Sequence, residues 1–370
     1  MRQKREEPVG DWQNFEVEVV EGLEVFAEAE IREKFDGAAR ILGRPRPGRI
    51  DLAYRGALAR LNALRTVTAM YSVLDFAVPR PKALLGQQQF DRIAVAVAAN
   101  IALYPLRTFT TVRVSGAGAD SPVFTRLKTA IAERFRLEVV ESLGDLLIAV
   151  RPAASPSGGW QVLIRTTPRP LSARAWRVCD MPGALNATVA SAMDRLARPR
   201  PSSRFLNLAC GSGTLLAERL QLGPVRIAIG VDNDRAALAC AAANLAASGS
   251  ANQAFLLHAD ATRLPLPAAT FDTIVVDLPY GMLHGTRQEN ETFYPALLAE
   301  AARVATRGAL FVGITTSKRV FDAALATVQA LWTPRQTYPL KVPFRNGYIY
   351  PAIFVLERVA GSEHSGPGTR

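Results

Sequence analysis

Apolar residues fall along this chain in short runs, alternately strand-like and helix-like, with glycine, proline and charged positions between them. Residues 15–20, 38–42, 50–54 and 66–78 read as strands and 25–34 and 57–64 as helices, the βαββαβ order of a ferredoxin-like unit. The pattern continues as a helix over 90–103, a strand over 109–115, a helix over 123–135 and strands over 137–141, 146–150 and 160–165, with the Pro- and Gly-rich stretch 152–159 as a hairpin loop. A helix over 182–197 then leads through residues 198–203 into the chain's last part. There, runs beginning at Phe205, Ile227 and Phe255, and others at 271–276, 309–315 and 348–356, have the aliphatic, β-branched composition of buried strands. Residues 282–290 read as a polar loop.

At 370 residues with 49% hydrophobic content, two or three cored units are expected. No apolar run reaches membrane-spanning length, since even 93–99 is interrupted by Asn100, and residues 1–7 lack the apolar core of a signal peptide. A cytoplasmic protein follows, with a monomer as the default. Cys179, Cys210 and Cys240 are too few and scattered for a disulfide framework or zinc cluster, and with only three His residues no metal is expected. The formal charge of +11 points to a polyanionic partner, and 38 of the 44 basic residues are arginine, which forks onto phosphates and stacks on bases. An Arg-rich proteome would give the same bias. Local crowding is more informative: Arg165, Arg169, Arg174, Arg177, Arg195, Arg198, Arg200 and Arg204 face only Asp180 and Asp194 in that stretch.

The run 271–276 ends in Asp277-Leu278-Pro279-Tyr280-Gly281, where Pro279 and Gly281 stop the strand. In open α/β sheets the carboxyl edge of the strands is where ligands bind. An aromatic amine attacks an electrophilic methyl only if two acceptors hold its hydrogens while its lone pair turns towards the carbon. The Asp277 carboxylate and the Leu278 carbonyl are candidates, Pro279 stiffens the backbone without a competing N–H, and Tyr280 offers a face for a flipped base. Guanine presents two adjacent donors, N1–H and N2–H₂, which match a carboxylate; adenine presents an acceptor beside a donor. Asp277 therefore leans towards guanine. A simple turn after a strand, with Asp277 bonding the backbone, is the competing reading.

Upstream, Asn207-Leu208-Ala209-Cys210-Gly211-Ser212-Gly213-Thr214 reads as a strand end, a Gly-rich turn and a helix start. A dinucleotide fingerprint would need glycine at position 216, where Leu216 stands. Asp232, followed by Asn233, ends the next strand and suits the two hydroxyls of a ribose; Asp260, followed by Ala261, ends the one after and suits an adenine amine. These four motifs, in this order, resemble the S-adenosylmethionine-dependent methyltransferases of the doubly wound class. Met181-Pro182-Gly183-Ala184-Leu185-Asn186-Ala187-Thr188-Val189-Ala190 is similar to the segment joining a THUMP domain to its methyltransferase domain. Together they resemble the THUMP-containing RNA guanine-N2 methyltransferases, especially those acting on guanosine 6 of the tRNA acceptor stem. The likeness covers about residues 15–358. Leu278 departs from the commoner Asp-Pro-Pro-Tyr or Asp-Pro-Pro-Phe wording, which leaves the target nucleotide open.

The resemblance implies an α/β chain: a ferredoxin-like domain (1–88), a THUMP RNA-binding domain (89–166), a linker (167–181), a class I methyltransferase domain with a mostly parallel seven-stranded sheet (182–360) and a disordered tail (361–370). Its last strand is antiparallel and closes the sheet. The implied cofactor is S-adenosyl-L-methionine, held by Asn207, Ala209, Cys210, Gly211, Ser212, Gly213, Thr214, Asp232, Asn233, Asp260, Ala261 and Asp277. The implied partner is tRNA, contacted by Arg165, Arg169, Arg174, Arg177, Arg287 and Arg345; Lys341 and Asn346 are weaker candidates, and His284 lies in the loop after the pocket. Methylation at tRNA position 10 or of rRNA, and a non-catalytic RNA-binding role, remain as alternatives, with DNA adenine methylation a weaker one.

Overall fold

A computed structural model describes residues 11–116, 121–154, 158–280 and 286–359. Two compact units emerge, one running up to Val19 and over Glu24–Ala173, the other comprising Val20–Leu23 and the chain from Arg174 onward.

The first unit contains β1 (Gln13–Glu18), α1 (Glu24–Lys34), β2 (Ala39–Gly43), β3 (Arg49–Tyr54), β4 (Ala69–Phe76), α2 (Gln87–Ile101), β5 (Thr111–Ser115), α3 (Pro122–Phe135), β6 (Glu138–Val139), β7 (Leu146–Pro152) and β8 (Trp160–Arg165). They form one sheet in the order β2-β3-β1-β4-β8-β7-β5-β6, because β4 pairs antiparallel with both β1 and β8. Two apolar clusters lie on it, one around Phe15, Ile31 and Tyr54, the other around Ile93, Phe124 and Ile148. A polar pin accompanies them: buried Glu16 pairs with Arg151 at 2.6 Å and Arg49 at 3.2 Å. The helix expected at 57–64 is a 3₁₀ turn, Leu58–Ala63. Its N-cap is Ala57, which has no side-chain acceptor to offer the first N–H groups, so the short segment tightens rather than extends.

The second unit contains α4 (Ala187–Leu196), β9 (Arg204–Leu208), α5 (Thr214–Gln221), β10 (Ile227–Asp232), α6 (Arg235–Ala247), β11 (Phe255–His258), β12 (Phe271–Asp277), α7 (Arg287–Val304), β13 (Ala305–Thr315), α8 (Lys318–Thr327), β14 (Trp332–Pro339), β15 (Val342–Phe344), β16 (Gly347–Ile349) and β17 (Ala352–Arg358). The main sheet runs β11-β10-β9-β12-β13-β17-β14. The first five strands are parallel, and β17 is antiparallel to both neighbours. This is the expected mixed α/β, mostly parallel seven-stranded sheet. The last strand, however, sits between β13 and β14 rather than closing the edge.

Three sequence expectations shift here. The helix expected at 182–197 starts at Ala187, because Gly183 is left-handed and Asn186 caps the helix by accepting from the Thr188 N–H. The loop expected to reach residue 290 ends at Thr286, whose hydroxyl and Glu289 form a reciprocal capping box that starts α7 at Arg287. The single strand expected at 348–356 is split into β16 and β17 by Pro351, which cannot donate to a ladder. Gly281, His284 and the tail 361–370 lie outside the described residues.

The cysteine reading is also corrected: Cys179 and Cys240 form a disulfide with a Cα–Cα distance of 5.4 Å. Scatter in sequence hid their meeting, since folding brings the segment before α4 onto the face of α6. The loop it closes has a sequence separation of 61, for which chain entropy alone gives about 4 kcal/mol. The unfolding free energy of the wild type should fall by up to that amount when reductant is added, whereas that of Cys240→Ser should show no response to reductant.

Candidate active site

The sheet order reverses at β9, with β10 on one side and β12 on the other, so the helices following these strands part at their carboxyl ends and leave a crevice. The loop after β9 lies there. Ala209 and Gly211 both have positive φ, Cys210 N donates to Val231 O at 2.9 Å, and Gly211 N donates to Asp232 Oδ2 at 2.8 Å. Asp232 Oδ1 accepts from Asp234 N at 3.0 Å, so the carboxylate ties the two strand ends together while each oxygen keeps a further lone pair. Gly213, left-handed at φ 77°, caps α5; a Cβ there would come within 3.0 Å of the Ala241 side chain. A Cβ on Gly211 would meet nothing within 4 Å, which leaves open space on the cleft side of the turn. Gly230 has no such room, since a Cβ would crowd Leu216 and Cys210. Burial raises the Cys210 thiol far above its ordinary range, leaving it an inert packing group.

Asp260 is exposed at the end of the strand after β10, its Oδ1 accepting from the N–H and hydroxyl of Thr262. Asn233 is exposed, while Ala261 is buried in the domain core. Asn207 departs from expectation: fully buried, its amide donates to Leu208 O and Val275 O between β9 and β12. Its donors hold strands rather than face the crevice. Thr214 is likewise committed, accepting from Arg177 at 2.9 Å.

Asp277 ends β12. Although the residue as a whole is only half-buried, its Oδ1 is enclosed and has no hydrogen-bond partner. Burial pushes its carboxyl up to about 7, partly opposed by a hydrogen bond from the Tyr280 hydroxyl. Burial, together with the neighbouring carboxylate, holds Tyr280 well above the usual phenol range, so it stays protonated and donates. Leu278 N donates to Ile314 O at 3.0 Å, a bond that proline at this position would forfeit, and its side chain is 2% exposed in the core. The departure at Leu278 thus anchors the turn to the next strand.

Sequence reading missed what holds this turn. Pro279 O accepts from Asn290 Nδ2 at 2.8 Å and from the Tyr294 hydroxyl at 2.6 Å; Tyr294 also meets Thr315 Oγ1 at 2.9 Å, and Ser317 Oγ donates to Tyr280 O at 3.2 Å. Asn290 and Tyr294 stand four residues apart, on one helical face, and both are buried. That spacing was legible, but only had α7 been expected to begin before residue 290.

A cavity of about 80 Å³ is lined by Met181–Leu185, the turn at 209–212, Thr214, Leu215 and Asp277. A larger one of about 540 Å³ shares the 181–185 segment and reaches Tyr280, Ile314, Phe344 and Pro351. The segment is held by Asn244, which accepts from Val178 N and Cys179 N and donates to Cys179 O and Ser212 O. The structure therefore brings together Ala209–Gly213, Asp232, Asp277 and Tyr280.

The arginines divide. Arg165 is 7% exposed and donates to the carbonyls of Thr167, Gly144, Asp145 and Pro168, so it braces a loop and has no free face for RNA. Arg174 pairs with fully buried Glu218 at 2.8 Å, and Arg177 donates to Leu185 O and Thr214. Desolvation lowers the pKa of both Arg165 and Arg177. These three are corrected from RNA contacts to internal braces: positive charge in sequence does not distinguish a phosphate clamp from a buried ion pair. Arg169 and Arg345 are exposed. Arg287 opens α7, and its side chain lies outside the described residues.

Residues 174–337 match the family model described as UPF0020, RMKL-like, methyltransferase domain. The match is to a methyltransferase domain and covers this region of the chain alone. Among curated relatives, the tRNA (guanine(6)-N(2))-methyltransferase THUMP3 of Mus musculus is 30% identical over 48% of this chain and 37% of its own length. The tRNA (guanine(6)-N2)-methyltransferase of Thermus thermophilus is 31% identical over 53% of this chain and 56% of its own. The chain thus spans only about a third to just over half of each relative. The crystal structure of TrmN from Thermus thermophilus matches over 94% of this chain and all of its own, with a TM-score of 0.69 and 23% identity, a likeness of fold. Among the described residues, no helix of the chain is long and apolar enough to cross a membrane, and no group of His, Cys, Asp and Glu could hold a metal ion.

In the second unit, Tyr294→Phe removes the hydroxyl that bonds Pro279 O and Thr315 and should cost about 1–2 kcal/mol. Combined with Asn290→Ala the losses should be non-additive, because both residues serve Pro279 O; additive unfolding energies would show that they act separately.

Proposed function

We propose that this protein transfers a methyl group from S-adenosyl-L-methionine to the exocyclic N2 of a guanosine in tRNA, at position 6 of the acceptor stem. The observation that carries the reading is the enclosed, unpartnered Oδ1 of Asp277, beside an open Gly-rich turn and a protonated Tyr280. The names of the two relatives support the substrate.

The turn suits the cofactor: Gly211 leaves space, Ala209, Cys210, Ser212 and Gly213 bring backbone close, and Asp232 with Asn233 keeps acceptor capacity for ribose hydroxyls. Asp260 and Ala261 lie at the adenine end. Bound S-adenosylmethionine would supply an electrophilic methyl on sulfonium. Asp277 Oδ1 and the Leu278 carbonyl accept the two amine hydrogens, which turns the N2 lone pair towards that carbon. Tyr280 fixes the carboxylate through its hydroxyl and presents its ring to the base. As N2 gains positive charge, the Asp277 carboxylate stabilises it and stands ready to receive the surplus proton. The first unit, with its THUMP-like part at residues 89–166, binds the RNA helix through phosphates and 2′-hydroxyls, and exposed Arg169 and Arg345 are contacts for it. The reading places the protein in the cytoplasm, acting as a monomer.

Labelled methyl transfer into unmodified tRNA, followed by nuclease mapping, tests this directly. N2-methylguanosine at position 6 is the expected product; modification at position 10, or of rRNA alone, would move the target, and cofactor binding without transfer to any RNA would remove the activity. Asp277→Ala should bind cofactor as the wild type does yet lose about 10²-fold or more in kcat. The reactive form is the ionised carboxylate, and burial raises its pKa to about 7. Below that value kcat/KM should therefore fall about tenfold per pH unit, and above it level off. A profile flat down to pH of about 5 would show that Asp277 does not act as an ionised acceptor.

A further inference from the structure

Beside the larger cavity, the strand pair β15–β16 forms a small hairpin outside the main sheet, with Val342 opposite Ile349 and Phe344 opposite Gly347. Val342, Phe344 and Ile349 line the same cavity as Tyr280. The hairpin's other residues are unlike an ordinary exposed edge. Tyr348 is 56% exposed and Tyr350 57%, and between them they account for two of the three exposed large aromatic residues among those described. Cations stand over the rings: Lys341 Nζ lies 4.7 Å from the Tyr348 centroid, and the Arg345 guanidinium 5.3 Å from that of Phe344. The base of the hairpin is pinned. Lys341 N donates to Glu21 O at 3.0 Å, Lys341 Nζ pairs with Glu21 at 3.1 Å, Leu340 N donates to Pro351 O at 2.9 Å, and a Cβ on left-handed Gly22 would collide with the Pro339 carbonyl.

Two exposed tyrosines and an exposed arginine on an anchored hairpin form a sequence-tolerant stacking surface: π-faces for bases and positive charge for a phosphate beside them. We infer that this hairpin holds the nucleotides next to the target guanosine once it has left the stack. The inference rests on the proposed RNA guanine-N2 methylation. A base inside a helix cannot reach Asp277 without flipping, and flipping leaves its neighbours unstacked at a cost that the enzyme must offset. Tyr348 and Tyr350 supply replacement stacking partners beside the cavity that receives the base, while exposed Arg345 meets a flanking phosphate. The hairpin thereby governs how well a paired guanosine competes with an unpaired one.

The test compares methyl transfer to a tRNA acceptor-stem transcript with transfer to a short single-stranded RNA carrying one guanosine, using the full chain. In the double variant Tyr348→Ala/Tyr350→Ala, the ratio of kcat/KM on the stem to kcat/KM on the single strand should drop about tenfold or more, since each lost base stack weakens binding by about that factor. Tyr348→Phe/Tyr350→Phe, which keeps the ring faces, should restore the wild-type ratio. An unchanged ratio in the alanine variant, or an equal loss on both substrates, would overturn the inference while leaving guanosine methylation intact. Wild-type protein that transfers no methyl to either RNA would instead overturn the activity on which the inference rests.

Discussion

A carboxylate kept from water at the end of a strand is unfavourable in itself, and much of the second unit exists around that constraint. Asp277 sits where the sheet order reverses, so the backbone beside it is fixed by two neighbouring strands before any side chain contributes. Leu278 locks the following peptide to Ile314; Asn290, Tyr294 and Ser317 take up the carbonyls that the turn leaves unpaired, and Thr315 holds the Tyr294 hydroxyl in place. Those groups are neutral donors. They rigidify the turn without offering Asp277 a counter-ion, which would pull its pKa down and spend its acceptor strength before a substrate arrives.

A second set of ties closes the crevice from the other side. Asn244, the Cys179–Cys240 bond and Arg177 all grip the segment between the two units' chain crossing and α4. Arg177 reaches both Leu185 O and Thr214 Oγ1, so one guanidinium joins the 181–185 wall to the first turn of α5. Desolvation makes such a buried arginine costly, and the cost is offset only because its donors find carbonyl and hydroxyl partners in fixed directions. This is why Arg165, Arg174 and Arg177, crowded in sequence with the exposed Arg169, Arg198 and Arg200, turned out to be internal.

The elements and their order were legible in the chain because buried strands in a parallel sheet read as near-continuous apolar runs, and 227–231 and 274–276 carry that composition. Motif residues at strand ends were legible for the same reason: once a strand is placed, its last residue is placed. What escaped was information held between distant segments. The disulfide depends on α6 meeting a loop 61 residues away, Asn207 looked like a cleft residue until its amide was seen bridging β9 and β12, and the start of α7 was concealed by a polar capping box that resembles loop sequence. Polarity alone does not tell a cap from a loop, or a brace from a contact.

In the proposed reaction, the choice of base follows from protonation more than from shape. A carboxyl near pKa 7 can present either two acceptors or an acceptor beside a donor, and the second pattern would suit adenine. Tyr280 decides between them. Burial and the neighbouring carboxylate hold its hydroxyl protonated, and a group that donates to Asp277 stabilises the ionised form over the protonated one. Guanine, arriving with two more donors, shifts the balance further in the same direction, whereas adenine would have to win a proton back against the tyrosine. On the proposed reading, the pair Asp277–Tyr280 favours guanine electrostatically, although the carboxyl by itself is poised between the two patterns.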